Sequence, residues 1–238
     1  GGGDSPGDVD TIDFITFSST GDATDFGNLS ANRRYAGGGA NNTRSLFCGG
    51  ANSSTQLNTI EHVTTQSTGH AKDFGDLTVA RQSPAQSACS PTRTVIGGGD
   101  SPSTVNVIDF VTTASLGDAQ DFGDKTAVGS YASGITSNTI RGLATTTGYG
   151  TNSDTIESLI IATTGNSVDY GDLSQSRNSL SSTASSTRAV FSNGQTNPAT
   201  QTTMDYVAIA TGGKAVDFGD SLDSTSAAVS ISNAHGGL

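Results

Sequence analysis

The sequence predicts an all-β fold, a five-bladed β-propeller with four antiparallel strands in each blade. The first observation is a tripeptide that recurs every 48 residues, so that five units exceed the 238-residue chain by two residues. The copies read Asp-Phe-Gly, or Asp-Tyr-Gly in the fourth unit, and begin at Asp25, Asp73, Asp121, Asp169 and Asp217. The second observation is a composition rich in Gly, Ser, Thr and Asn, without a helical apolar stripe. Repetition at a period near 50 residues with glycine pairs is typical of propeller blades.

Each unit contains four segments with the composition of strands. In the third unit these segments are β-branched or aromatic and are bounded by turn-forming residues. They predict strands near 105–113, 119–123, 130–136 and 140–145. A glycine that can adopt a positive φ marks the turn between the first two segments of every unit. These turn glycines are Gly21, Gly69, Gly117, Gly165 and Gly213.

The aromatic residue of the tripeptide is the predicted contact between neighbouring blades, together with an Ile or Met about 14 residues before it. The aromatic series is Phe26, Phe74, Phe122, Tyr170 and Phe218. Stacked sheets in a chain of this length can bury a continuous core. We therefore expect residues 1–238 to form a single domain.

The two ends of the chain predict how the ring closes. Residues 1–6 match residues 97–102, and residues 235–238 align with residues 93–96, directly before that point. Joining the ends would restore an unbroken repeat, so we expect strands from both termini to close one blade. The split falls inside a strand and the chain does not begin with Met, so we also expect a segment of a longer polypeptide.

The repeat resembles a known family. Arg followed by an apolar triplet and Gly-Gly, then an apolar run with Asp, an aromatic and Leu-x-x-x-Arg, is similar to the kelch repeat, although Asp-Phe-Gly stands where that family usually has Trp. The combination of Arg-x-x-x-Gly-Gly-Gly, Ile-Asp-Phe and Asp-Phe-Gly-Asp-Leu resembles repeats in kelch-like virion proteins of tailed bacteriophages, particularly marine ones. This resemblance covers the whole chain. It implies a structural or adhesive propeller without enzymatic activity, in a tail fibre or another surface component of a virus particle.

Charge and hydropathy exclude several functions. The net charge is −11, from 22 acidic and 11 basic residues, and no stripe of Lys and Arg is interleaved with aromatics. We therefore expect no nucleic-acid partner, since such binding depends on neutralising phosphates. No apolar run approaches 18 residues and no basic leader precedes one, so we expect neither a membrane span nor a signal peptide in this sequence.

The expected location is a virion, with an extracellular location as the alternative. The expected partners are other virion proteins and a host surface glycan or receptor, and a homo-oligomer is left open.

Recurring carboxylates are the first candidates for chemistry. Each tripeptide Asp is followed three residues later by an Asn or a second Asp, and Ca²⁺ could use such oxygen pairs. An Asp before an aromatic-Gly step more often accepts backbone N–H bonds in a turn, and we favour that interpretation. Five equivalent pairs also provide no unique acid and base for hydrolysis. We predict no catalytic residue, no metal ligand and no cofactor.

Histidine and cysteine residues are few. His62, His70 and His235 are too dispersed in the sequence for a zinc site. His62 occupies a position that is aromatic in other units, which favours packing. Cys48 and Cys89 lie in inner-strand segments of successive units, and two buried thiols are favoured over a disulfide there.

Partner-binding residues are expected in the loops that differ most between units. These loops span 4–10, 51–59, 100–106, 148–154 and 194–202. The candidate residues in or near them are Arg33, Arg81, Arg177, Asp100 and Tyr149. Arg is suited to bidentate contacts with a carboxylate or a sugar. The alternative is that each Arg braces its own blade by donating hydrogen bonds to loop carbonyls, because it recurs.

Two rival functions remain at this point. The first is a secreted or cell-surface lectin-like module of a bacterium, with glycan pockets between blades. The second is an enzyme that uses the propeller as a scaffold. A repeated pocket would favour the lectin, whereas a unique concave site with perturbed ionisable groups would favour the enzyme.

Overall fold

The computed structural model describes residues 1–4, 6–83, 87–129, 135–146, 151–228 and 230. Strands, turns and loops make up these residues, and none of them lies in a helix. The predicted all-β class is therefore confirmed. All strand pairs are antiparallel, as expected for short strands joined by tight turns.

Five sheets follow one another along the chain. The first sheet contains β1 (Gly3–Asp4), β2 (Asp8–Phe14) and β3 (Thr24–Arg33). The second contains, in spatial order, β4 (Gly37–Ala40), β5 (Arg44–Cys48), β8 (Thr59–Thr64) and β9 (Lys72–Asp76). The third contains β10 (Ala88–Cys89), β11 (Arg93–Gly97), β14 (Val107–Thr112) and β15 (Gln120–Asp124).

The remaining two sheets repeat this order. The fourth sheet contains β16 (Ile135–Ser137), β17 (Arg141–Thr145), β18 (Ser153–Ile160) and β19 (Val168–Arg177). The fifth contains β20 (Ser181–Ala184), β21 (Arg188–Ser192), β22 (Gln201–Ala208) and β23 (Val216–Thr225). Two small hairpins lie between the second and third strands of their sheets, β6 (Ala51–Asn52) with β7 (Thr55–Gln56), and β12 (Asp100–Ser101) with β13 (Ser103–Thr104).

The strands predicted for the third unit are largely confirmed. The segments predicted near 105–113, 119–123 and 140–145 correspond to β14, β15 and β17. The segment predicted near 130–136 overlaps β16, and its first part lies outside the described residues.

The tripeptide aromatic is the extra residue of a β-bulge in every sheet. In the second sheet Ile60 pairs with Gly75 while Glu61 pairs with Asp73, so the register steps over Phe74. The same step occurs at the corresponding point of the other four sheets. A bulge re-aims one side chain, and here it directs the aromatic ring away from the pleat and toward a neighbouring sheet.

The core lies between consecutive sheets. We call the side of a sheet that meets the following sheet its trailing face, and the opposite side its leading face. Between the second and third sheets, Ile60, Phe74 and Leu77 of the trailing face pack with Val111 and Ala119 of the next leading face. Equivalent clusters join the first to the second, the third to the fourth and the fourth to the fifth sheet. The described residues therefore form four apolar junctions, one between each pair of consecutive sheets.

The predicted burial of the aromatic series is confirmed for some members and wrong for one. Phe74 and Phe122 are each 2% exposed, and Phe26 and Tyr170 are partly buried. Phe218 is 51% exposed, contrary to the prediction. The physical reason is that burial comes from the following sheet, and none covers the trailing face of the fifth sheet among the described residues.

The predicted pairing of residues 1–3 with residues 235–238 lies outside the described residues. Within them, Gly1 packs beside Ile12 and β1 pairs with β2.

Candidate functional site

A buried ion pair lies at each of the four junctions. A cation that follows one sheet's last strand, or ends it, reaches an Asp or Glu in the third strand of the following sheet. The pairs are Arg33–Glu61 at 2.5 Å, Arg81–Asp109 at 2.9 Å, Lys125–Glu157 at 3.4 Å and Arg177–Asp205 at 3.0 Å. All eight side chains are 0 or 1% exposed.

The guanidinium groups of Arg33, Arg81 and Arg177, which the sequence offered as candidates for partner binding, are buried in this structure and contact the following sheet. The bracing alternative is closer, but each Arg donates mainly to the following sheet; Arg81 also donates to the carbonyl oxygen of Val79 in its own unit at 3.4 Å. Arg81 donates to the carbonyl oxygen of Ile96 at 3.3 Å, and Arg177 donates to that of Phe191 at 3.2 Å. Burial lowers the pKa of Arg177, and the Asp205 carboxylate opposes this shift.

The third junction obtains its cation from a different position. Gly129 stands where the first, second and fourth units have Arg, and Lys125 stands where these three units have Leu. The Lys125 ammonium group crosses the junction to Glu157 and also donates to the carbonyl oxygen of Thr145 at 3.2 Å. Burial lowers the pKa of Lys125, with Glu157 acting in the opposite direction. Sequence reasoning missed this residue, although the simultaneous change at both positions was a signal.

The acidic partners were also missed, since the sequence presented them only as landmarks of the repeat. Each carboxylate accepts further hydrogen bonds from the preceding sheet. Asp109 accepts from the Thr78 amide at 3.2 Å and from its hydroxyl at 2.6 Å. Glu157 accepts from the Thr126 amide at 2.8 Å. A buried charge that is both paired and hydrogen-bonded is tolerated, whereas removing one partner leaves a costly isolated charge.

A second recurring contact places the glycine turn of one sheet on the tripeptide of the preceding sheet. The amides of Gly117 and Ala119 donate to the carbonyl oxygens of Phe74 and Asp76 at 2.8 and 2.7 Å. The same two bonds occur at the other three junctions. A Cβ atom on Gly75 would lie 2.4 Å from the Gly117 oxygen, so the approach of the next sheet requires glycine in the tripeptide.

The tripeptide carboxylates behave as turn acceptors where hydrogen bonds are seen. Asp25, Asp169 and Asp217 each accept the amide of the glycine two residues later, at 3.0 to 3.2 Å. The turn interpretation is confirmed for these three residues.

Two of the expected partner-binding loops, 51–59 and 100–106, contain small hairpins at equivalent places in the second and third sheets. Asp100, a candidate partner-binding residue, lies in β12, is buried, and accepts the Thr104 hydroxyl at 3.0 Å. Its backbone pairs with Gln82 of the preceding sheet. Tyr149 lies outside the described residues. The hairpin tips, by which we mean residues 53–55 and 102–103 of the two hairpins and residues 197–200 of the corresponding loop in the fifth sheet, are exposed.

Arg34 is a more exposed cation than the three predicted Arg residues and lies beside the first hairpin. It pairs with Asp8 at 3.2 Å and Asp4 at 3.4 Å, and it donates to the Ser53 carbonyl oxygen at 2.8 Å. This network ties the first sheet to the loop of the second.

Histidine and cysteine residues pack as the sequence indicated. The His62 ring meets Phe74 edge to face with 5.8 Å between ring centroids, and His70 accepts the Asn28 amide at 3.1 Å. His235 lies outside the described residues. Cys48 and Cys89 are buried free thiols, and burial raises the pKa of Cys48 to about 12. Across the described ranges, no three His, Cys, Asp or Glu side chains gather in a way that could hold a metal ion.

No protein-family model matches this chain, and no curated protein matches its sequence. In the part of the chain that the structure describes, no helix is long and apolar enough to cross a membrane.

Proposed function

We propose that this chain is a structural or adhesive module without enzymatic activity, built as a kelch-like β-propeller and carried on the surface of a tailed bacteriophage particle. Five sheets of one kind are the proposed blades. The observation that carries the proposal is that recurring and variable residues of each unit lie in different places. The recurring charged side chains pair with one another across the junctions between sheets, whereas residues that differ between units lie at the exposed hairpin tips.

The recurrence of one junction supports the propeller arrangement. Each of the four junctions combines an ion pair, a pair of backbone hydrogen bonds and a cluster of packed apolar side chains. Repetition of the same interface advances each sheet by the same step, which is how blades are arranged around an axis. A ring of five closed by both termini would bring the trailing face of the fifth sheet onto the leading face of the first.

The hairpin tips offer a suitable chemistry for attachment. They expose hydroxyl and amide groups, as in Ser53, Ser54, Thr55 and Asn197. Such groups supply adaptable hydrogen bonds to a glycan or to a receptor backbone. The supporting scaffold is held by buried pairs, so loops can vary without disturbing it.

Adsorption to host cells tests this proposal. The labelled chain is incubated with bacteria that the phage infects, and bound protein is measured before and after blocking the tips with Ser54→Trp, Ser103→Trp or Ala199→Trp. We expect adsorption to fall by about 10-fold or more in at least one tip variant, which is the effect of blocking one energetically important contact. Thr68→Trp, in an exposed turn away from the hairpins, is the matched control and should adsorb normally.

Particle labelling tests the location separately. Antibodies raised against the chain should decorate intact particles, seen by electron microscopy. Adsorption that survives in all three tip variants would overturn the attachment face, and unlabelled particles would overturn the virion assignment.

A lectin-like module of a bacterium is the second candidate, and the hydroxyl- and amide-rich tips also favour it. Glycan titration separates the two proposals. Several equivalent sites per chain, with tip variants each losing one site, would favour the lectin. A single site confined to one hairpin would favour receptor attachment.

A further inference from the structure

Among the residues that the structure describes, no other sheet covers the leading face of the first sheet. Asp13 occupies the position of the buried acids Glu61 and Asp109, but it is exposed. Ile15 is 54% exposed, whereas its equivalent in the second sheet, Val63, is 6% exposed. Ala23 is exposed as well, although its counterparts face a preceding sheet. Every component of the acceptor side of a junction is therefore present on the first sheet, and each lacks the contact that it makes elsewhere.

The fifth sheet carries the opposite, equally uncovered face. Phe218 is half exposed, and a Cβ atom on Gly219 would meet no atom within 4 Å. Among the described residues, no backbone hydrogen bond joins Gly21 to Phe218, which would be the fifth bond of the repeating kind. The two faces are thus both free in this structure.

These two faces lack complementary charge. Thr225 stands at the position of Arg33, Arg81 and Arg177, and Ser221 stands at the position of Lys125. The fifth sheet therefore has no cation at either place from which the other four junctions draw one. If this face covered Asp13, the carboxylate would lose its contact with water without gaining a side-chain cation from the fifth sheet, which is strongly unfavourable.

Arg188 does not replace the missing cation. Its guanidinium lies over the Tyr206 ring, 4.6 Å from the centroid, and Arg93 lies over Phe110 in the same manner at 4.5 Å. The third sheet has a stacked Arg of this kind, Arg93, and its unit also supplies Lys125, which pairs with Glu157 of the fourth sheet. The stacked Arg and the ion-pair cation are therefore separate parts of the junction.

We propose that the leading face of the first sheet, formed by Asp13, Ile15 and Ala23, docks a further repeat unit of this kind that carries Arg or Lys facing Asp13. That cation lies eight residues after the tripeptide Asp when it is Arg, or four residues after it when it is Lys. The trailing face of the chain's own fifth sheet, or of a second copy, is the competing occupant. This inference depends on the repeated junction and not on the proposed attachment role.

An added repeat tests the proposal. A copy of residues 1–48 is fused before Gly1 of the full chain, which continues the 48-residue period and places the copied Arg33 opposite Asp13. Hydrogen exchange is then measured at the amides of Gly21 and Ala23. We expect both to exchange rapidly in the unfused chain and to slow by about 100-fold or more in the fused chain.

The matched control keeps the copy but changes its Arg33→Thr, which reproduces the residue at Thr225. We expect this change to lower the melting temperature of the fused chain by about 5 °C or more, since it isolates Asp13. A copy with Arg33→Lys should retain most of the stability. A Thr copy that docks and melts like the Arg copy would overturn the charge requirement.

The amides of Gly69 and Ala71, in the intact first junction, report folding in every variant. If fusion of residues 1–48 disturbs them, a fused copy of residues 49–96, which places Arg81 opposite Asp13, takes its place. Protection of Gly21 and Ala23 in the unfused chain would overturn the proposal. Light scattering would then identify the occupant, the chain's own fifth sheet in a monomer or a second copy in an oligomer. Rapid exchange at both amides in both fused chains, with Gly69 and Ala71 protected, would overturn it as well.

Discussion

The second and fifth sheets present the same repeat, but one ends in a closed junction and the other in an open face. Phe74 is 2% exposed and Phe218 is 51% exposed, although both rings stack edge to face on the preceding aromatic of their own sheet. The two rings differ in exposure because the third sheet packs on Phe74, whereas no following sheet among the described residues packs on Phe218. The interfaces between units therefore contribute much of the stability of the repeat, as expected for a one-dimensional array of units.

The third junction shows which part of the interface is required. It keeps the acid Glu157 but replaces both the Arg and the Leu positions, and a Lys at the latter supplies the cation. The junction keeps a cation, but this cation comes from a different position in the repeat. What matters physically is that a buried carboxylate has a cation within reach.

The largest effect is expected at a closed junction. Arg81→Ala leaves the Asp109 carboxylate buried without its cation and should reduce the free energy of unfolding by about 4 kcal/mol. Chemical denaturation measures the loss. Arg34→Ala is the matched control, since its partners are more exposed, and it should cost no more than about 1 kcal/mol. Equal losses would contradict the importance of the buried pair. Adsorption to host cells should remain intact for the folded Arg81→Ala protein.

The third junction should be breakable and repairable. Lys125→Leu introduces the residue of the first, second and fourth units but isolates Glu157, so we expect a loss of about 3 kcal/mol in the free energy of unfolding. Adding Gly129→Arg supplies the cation from the usual position and should recover at least half of that loss. Gly129→Arg alone is the control for strain at this position. A double variant no more stable than Lys125→Leu would show that the two cation positions are not interchangeable.

Truncating the aromatic series compares the closed and open faces directly. Phe74→Ala should cost about 3 kcal/mol because it empties a packed cluster. Phe218→Ala should cost less than about 1 kcal/mol because half of the ring already lies in solvent. Similar losses by thermal or urea unfolding would indicate that another sheet covers Phe218 in solution.

A methyl group added to the tripeptide glycine makes the same comparison through sterics. Gly75→Ala places Cβ 2.4 Å from the Gly117 oxygen, whereas Gly219→Ala meets no atom within 4 Å. Both glycines have positive φ, at 146° and 129°, so backbone strain is common to the two variants. We expect Gly75→Ala to be less stable than Gly219→Ala by about 2 kcal/mol, since overpacking adds to the strain. Indistinguishable unfolding curves would contradict the close approach of the turn.

The smallest effect concerns pH. Burial, reinforced by the nearby Arg44, lowers the pKa of His62 below its usual value of 6.5. The folded state then binds fewer protons than the unfolded state, so this residue removes stability as the pH falls through and below 6.5. His62→Phe, which copies the third sheet, should therefore gain stability relative to the native chain between about pH 7.5 and about pH 5. A stability difference that does not change with pH would contradict this.

Much of the fold followed from the sequence because its evidence is local and repeated. Strand segments such as β14 and the turn at Gly117 depend on residue type and order within one unit, and five copies of the pattern reinforce each other. Burial of His62 beside Phe74 also followed from alignment of the units. These features depend on neighbours within a single sheet.

The candidate site was predicted less well. Arg33, Arg81 and Arg177 were correctly recognised as recurring, but their partners lie 28 residues away in the next sheet, beyond any local pattern. Asp100 was named as a candidate for partner binding because it lies in a variable loop, and in the structure it is buried and its backbone pairs with Gln82. A matched change from Leu to Lys at 125 and from Arg to Gly at 129 was the available signal for the cross-sheet pair.

By itself, the sequence determined the class of the fold, the number of units and the places of strands and turns, because each depends on short-range stereochemistry repeated at a fixed step. Only the tertiary structure decided which faces meet. Burial of Phe74 and exposure of Phe218 arise from identical local sequence, Asp-Phe-Gly-Asp, and differ through the presence or absence of a following sheet. The same holds for the acids, since Asp109 is buried against Arg81 while Asp13 faces solvent. Desolvation and charge pairing are properties of two surfaces in contact, and a single repeat contains only one of them.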